Sequence, residues 1–430
     1  MKTNDFLKNE LPLIAKDLKE LNGQLSDRKQ KWQLTFSELK LDELLRHVIC
    51  EQVFYFKSKY EDFTFLGIGC SQTIKGHELQ DFLTQYPDLY LVPSFSFEDD
   101  PKKADLTLHE WIFISQSGKT QLFILPKNET QLFSRSELLF DPLVPCFDFE
   151  AQHPSWITYE ESPERDHWTK MIEASDHLFN EQILEKIVLS RKKIFTYSCP
   201  LDSMSFFSEL VKKNLNNPAY HIFKQDRFGE AFLCIGPERL FSIKDNTFES
   251  ISLAASAPRG LTPQEDLELE HLLQTDEKLA REHNLVTDEI VRRLSLLTYN
   301  IHVSPLVTMK LPYIQHRSAT IKAQLNSQYN LIDLIDLLHP TPAVGGHPSI
   351  LAKEKISELE GIKRKSYAAP IGILSAHFSE LAVGIRSGMI EKEKLTLYGG
   401  AGIIKGSDAS AEWNETGAKM NPFLKVVYNE

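Results

Sequence analysis

The residues best suited to chemistry lie in the C-terminal run LYGGAGIIKGSDASAEWNETGAKM, positions 397–420. Gly399, Gly400 and Gly402 leave backbone amides open to an anion, and Ser407 or Asp408 can cap a following helix. On that helix Glu412, Glu415 and Lys419 share one face by their spacing. Two readings fit them. The bland one is a solvated face with an i,i+4 pair worth roughly 0.3–0.5 kcal/mol. The other is a carboxylate pair for a hard cation beside an anion cradle, which suits Mg²⁺ because that ion takes one or two protein carboxylates and completes its shell with water and substrate oxygens.

Three further positions could join such a site. Glu282 sits on a second acidic segment, from Asp276 to Arg293, that reads as a helix. Lys186 opens the apolar run Ile187-Val188-Leu189, where partial desolvation would favour the neutral amine and allow a base role; a snorkelling lysine at a strand end is the alternative. Glu238 follows Gly236-Pro237, a strand breaker able to aim a carboxyl into a cleft.

Other motifs fail. GxGxxG is broken at Gly67-Ile68-Gly69 by Gln72, and Ser117-Gly118-Lys119-Thr120 has Phe113 where a phosphate-binding loop needs its first glycine. No GxSxG elbow and no HExxH pair occurs.

The elements that must position these residues form an irregular series. FYFKSKY (54–60) and EWIFISQSGKTQLFILP (110–126) are strand-like, the latter a hairpin around Ser117-Gly118, with a loop over Phe97–Lys103 between them. KIVLSRKKIF, AFLCIGPERLFSI, LAVGIRSGMI and KLTLYGGAGII read as β. DEKLAREHNLVTDEIVRRLSLL, LIDLIDLLH and ASAEWNETGAKM have helical period, as does the amphipathic N-terminus. Strand runs with helices grouped between them predict an α+β fold with large antiparallel sheets. The Pro-, Ser- and charge-rich stretch from Ala151 to Asp166 marks the expected seam between an N-terminal region, 1–165, and a catalytic region, 166–430.

Composition is that of a globular chain: 430 residues, 42% hydrophobic and 25% charged. A net charge of −12 argues against nucleic acid or an anionic membrane as partner. The N-terminus lacks a signal-peptide core and no long apolar run occurs, so a cytoplasmic protein is expected. Five dispersed cysteines, Cys50, Cys70, Cys146, Cys199 and Cys234, without a CxxC pair, suggest reduced structural thiols.

Seven segments in one order, KIVLSR (186–191), GPERLF (236–241), LAASAPRG (253–260), REHNLVTDEI (281–290), LHPTPAVGG (338–346), AVGIRSGM (382–389) and the C-terminal run, resemble the chorismate-utilizing enzymes. That family includes isochorismate, salicylate, anthranilate and aminodeoxychorismate synthases. The resemblance implies a layered α/β sandwich like that of anthranilate synthase component I, with two large antiparallel sheets and helices outside. It implies Mg²⁺ held by Glu282 and Glu415, with Glu412 acting through water. Ser256, Arg386, Lys419 and the amides of Gly400 and Gly402 would meet the carboxylates of chorismate, and His339 would lie near the leaving hydroxyl.

Family members that use ammonia typically carry Gln at the position of Lys186; a lysine marks those that add water. By the same resemblance Lys186 is the general base and Glu238 the acid that protonates the departing C4 hydroxyl, which requires a raised pKa. Ala254 replaces the nucleophilic lysine of aminodeoxychorismate synthases. Isochorismate formation, an isomerase reaction serving menaquinone or siderophore supply with no obligatory amidotransferase, is therefore the leading expectation. Salicylate formation comes second, and a catalytically silent chorismate-binding protein is the alternative from another class. Two departures touch the pocket: the family's usual Gly-Thr is Ala255-Ser256, and the usual Ile-Gly-Trp is Ile371-Gly372-Ile373.

Overall fold

A computed structural model describes residues 32–125 and 154–429, except positions 38, 47, 49, 51, 312, 313, 327 and 328. The expected N-terminal amphipathic helix and Cys146 lie outside the described residues. The fold is α+β, as the order of strand and helix patterns predicts. Among the described residues, one sheet has twelve strands and a second has seven, all paired antiparallel.

The larger sheet joins both halves of the chain. Strand Val53–Lys57 pairs with Tyr220–Gln225, and the sheet continues through Ala231–Gly236, Ser387–Glu391, Lys394–Ile404 and Lys186–Tyr197. Strand Trp156–Ser162, inside the stretch read as a seam, pairs with Lys186–Tyr197. The expected hairpin forms between Trp111–Gln116 and Lys119–Ile124, with Ser117 (φ 53°) and Gly118 (φ 73°) both left-handed, as a two-residue turn between twisted strands requires.

Side-chain alternation builds the layers. Phe54 and Phe56 point toward the second sheet and share its core with Phe241, Phe248 and Leu381. Tyr55 points the other way, onto Phe207 of helix Ser203–Lys213; Phe423 of helix Asn421–Val427 belongs to that same outer core. Burying one Phe is worth about 1.5–3 kcal/mol, so the paired aromatic layers fix the distance between sheets.

Two chain crossings matter most. AFLCIGPERLFSI, which reads as one β-like run, divides into Ala231–Gly236 in the large sheet and Arg239–Lys244 in the smaller. LAVGIRSGMI divides likewise, with Phe378–Val383 in the smaller sheet and Ser387–Glu391 in the larger. The crossings lie side by side: Val383 N donates to Glu238 O at 3.1 Å and Ile235 N to Arg386 O at 3.1 Å.

Candidate active site

At these crossings a cleft opens between the sheets. Of the residues singled out from sequence it brings together Lys186, Glu238, Ser256, Glu282, Arg386, Gly400, Gly402, Glu415 and Lys419. Glu238 and Arg386 sit in the two crossings themselves, and the others arrive on strands and helices. Lys186 and Val188 share one face of strand Lys186–Tyr197, opposite Ile404 and Gly402. Glu282 comes from helix Glu277–Leu294, Glu415 and Lys419 from helix Ala409–Lys419, capped by Asp408, which accepts from Ala411 N at 2.7 Å.

Glu238 is almost fully buried. Burial pushes its carboxyl up to about 7, against the pull of Lys186, Lys419 and Arg386. Lys186 is 1% exposed and donates to Glu282 Oε1 at 2.7 Å. Lys419 lies 2.7 Å from Glu415 and donates to Gly400 O at 2.9 Å. Glu282 thus meets a lysine of the large sheet, whereas Glu415 meets Lys419 of its own helix. Gly402 has to be small: a Cβ there would stand 2.9 Å from both Glu282 Oε1 and Lys186 Cε.

Glu412 is not among the cleft-lining residues. It lies behind Glu415, its carboxyl pushed up to about 7 by burial and then by the charge of Glu415, with Glu282 adding to it. Three carboxylates from two helices therefore feel one another. Among the described residues no group of three or more His, Cys, Asp or Glu is arranged to hold a metal unaided. A Mg²⁺ site does not require one, since two carboxylates with water and substrate oxygens suffice; the residues present fit such an ion.

His339 is displaced from its expected place. It ends helix Leu331–Leu338, its ring edge-on to Phe97 at 5.6 Å, and is absent from the cleft lining. The histidine that lines the cleft is His316, which the sequence reading missed. Burial holds its pKa well below the ordinary value, so the ring is neutral. Because a guanidinium can only donate, Arg386 Nη2 donates to His316 Nε2 at 3.1 Å. The proton then sits on Nδ1, which donates to Ser256 Oγ at 3.0 Å and leaves the Ser256 hydroxyl hydrogen free to reach a ligand. Register creates this contact: Ser256 pairs with His316 through a bulge at Ala255, whose φ of 61° is costly for any residue with a Cβ. Tyr367, stacked on Tyr398 at 5.0 Å, is a second lining residue without a sequence signal of its own.

Anthranilate synthase component I from Streptococcus pneumoniae shares the fold, with a TM-score of 0.61 at 19% identity over 93% of each chain. The chain belongs to the chorismate binding enzyme family, whose profile matches residues 90–428. It is 30% identical to isochorismate synthase MenF of Escherichia coli (strain K12) over 79% of both chains. It is 32% identical to isochorismate synthase MenF of Bacillus subtilis (strain 168), over 66% of this chain and 60% of that protein's length. The solved structure of MenF, the menaquinone-specific isochorismate synthase from Escherichia coli, superposes with a TM-score of 0.86 at 25% identity, covering 96% of this chain and 99% of that one. Among the described residues no helix is long and apolar enough to cross a membrane.

Proposed function

We propose that the protein is an isochorismate synthase, an isomerase that adds water to C2 of chorismate as the C4 hydroxyl leaves. The observation that carries this is the pairing in one cleft of a buried lysine, Lys186, with a buried carboxyl, Glu238, held up to about 7. Support comes from relatives named isochorismate synthases over most of the chain.

Lys186 takes a proton from water, whose oxygen forms the new bond at C2. Both ring double bonds shift by one position, the C4–O bond breaks, and Glu238 gives its proton to the departing hydroxyl, so one water enters and one leaves. Arg386, Lys419, the Ser256 hydroxyl and the amides at Gly400 and Gly402 hold the substrate carboxylates, supplying locally the positive field that a chain of net charge −12 lacks. Mg²⁺ bound by Glu282 and Glu415, with Glu412 behind them, would neutralise these carboxylates, anchor a substrate carboxylate and release Lys186 and Lys419 from their ion pairs. The product would feed quinone or siderophore assembly.

Incubation with chorismate and Mg²⁺, followed by chromatography, is expected to yield isochorismate, and chelation with EDTA to stop it. Salicylate as the main product would replace this reading with the second one, and tight chorismate binding without turnover would replace it with a silent binder. A pH dependence follows from Glu238. The acid acts while protonated, so its loss should make kcat fall tenfold per pH unit well above about 7. In Glu238→Gln that alkaline limb should vanish along with most of the rate. A limb that persists in the variant would assign it to another group.

A further inference from the structure

The N-terminal region lends the cleft a loop whose contacts converge on the residues flanking Glu238. Ser58 shapes this loop: its Oγ accepts from Tyr60 N at 3.2 Å and Glu61 N at 3.0 Å. On one side of Glu238, Lys59 Nζ donates to Pro237 O at 3.1 Å and the Tyr60 hydroxyl donates to the same carbonyl at 3.3 Å. On the other side, the Arg239 guanidinium lies 4.2 Å over the Tyr60 ring and 3.5 Å from Glu61. Arg239 is in turn fixed by Glu380 at 2.8 Å and Glu249 at 2.6 Å, with no exposed side-chain surface.

Lys59 is an unusual group to place there. Among the described residues no carboxylate forms an ion pair with it, and its other contact is Met309 Sδ at 3.2 Å. Burial, then the charges of Arg386 and Arg239, bring its amine down to about 7. A fold that only needed to close this corner could have used an apolar side chain at less cost. What the amine supplies is a donor for a carbonyl that no backbone partner serves in either sheet, at the point where the chain leaves one sheet for the other.

We propose that the loop 58–61 is a positioning device for Glu238: Lys59 and Tyr60 hold the Pro237 carbonyl while Tyr60 and Glu61 hold Arg239, so that the carboxyl between them is fixed toward the reacting ring. This rests on Glu238 being the acid of the proposed reaction. Lys59 acts through the backbone and touches no substrate.

The test is a kinetic cycle on the full chain. Lys59→Met should lower kcat by about 10- to 100-fold, the scale of a misplaced catalytic group, with KM for chorismate changed less than about twofold. Lys59→Arg, which keeps a donor, should recover most of the rate. Tyr60→Phe, which loses one hydroxyl and should fold normally, is expected to show a smaller kcat effect of about 2- to 5-fold. In a Glu238→Gln background Lys59→Met should cost nothing further, because the group it positions is gone. Normal kcat in both Lys59→Met and Tyr60→Phe, or a full second loss in the Glu238→Gln background, would overturn the positioning role. Full turnover by Glu238→Gln alone would overturn the acid assignment instead, which separates the two failures.

Discussion

Lys186→Gln is expected to reduce turnover by about 10²- to 10⁴-fold, the usual contribution of one general base, while the chain stays folded and still binds Mg²⁺. The carboxamide is one bond shorter than the lysine, so it carries a donor toward Glu282 without reproducing the amine's 2.7 Å contact. What is lost is the capacity to accept a proton from water. The strand itself is held by eleven paired positions along Lys394–Ile404, none of which involves the amine. Turnover of chorismate, circular dichroism and a Mg²⁺ titration on the same preparation would check each part. Turnover within about threefold of the parent would remove Lys186 from the chemistry and leave its pairing with Glu282 as a structural contact. The amine's partner is one of the two carboxylates proposed to hold the cation, so the Mg²⁺ titration also reports whether that contact matters to the metal.

Much of this site was legible in the chain. The helix carrying Glu415 and Lys419 shows its glycine-rich approach, its cap and its period in one stretch, and the cap is Asp408 rather than Ser407. Lys186 could be placed because an apolar run begins beside it. Three things were hidden, each for a physical reason. AFLCIGPERLFSI shows a break at Gly236-Pro237, but both its halves are buried on both faces, so no alternation tells that the second half joins a different sheet. His316 could not be distinguished from His339, since what puts one in the cleft is a register set by the bulge at Ala255, and a single sequence carries no register between strands sixty residues apart. Lys59 carries no motif; its meaning comes from Pro237, 178 positions away. The order of the elements is written locally, whereas the meeting of chemistry-bearing side chains depends on long-range pairing.

The Lys186 strand depends on one further contact, and breaking it should produce the largest loss of stability. Glu360, the last residue of helix Ser349–Glu360, and Arg364, four positions further on, form an ion pair with side chains 1% exposed each. Arg364 donates to Val188 O at 2.6 Å and to Val344 O at 3.0 Å, while Glu360 accepts from Ser190 N at 2.7 Å and Ser190 Oγ at 2.9 Å. Val188 and Ser190 belong to the same strand as Lys186, and Val188 and Val344 line the cleft. Glu360→Ala leaves a guanidinium buried without its counter-charge and a strand amide without an acceptor, so a loss of about 3–5 kcal/mol is expected. Chemical unfolding of parent and variant gives the number, and a shift below about 1 kcal/mol would mean that water replaces the carboxylate. Glu360→Met combined with Arg364→Met should lose less than either partner's removal, because no charge is then stranded. Activity should divide differently. Even where the double variant regains stability, the Val188 carbonyl has lost its donor and Ser190 its acceptor, so kcat should remain low. Such a split would show that the pair serves to hold the strand in the register that brings Lys186 to the cleft, a role that well-packed apolar residues cannot fill.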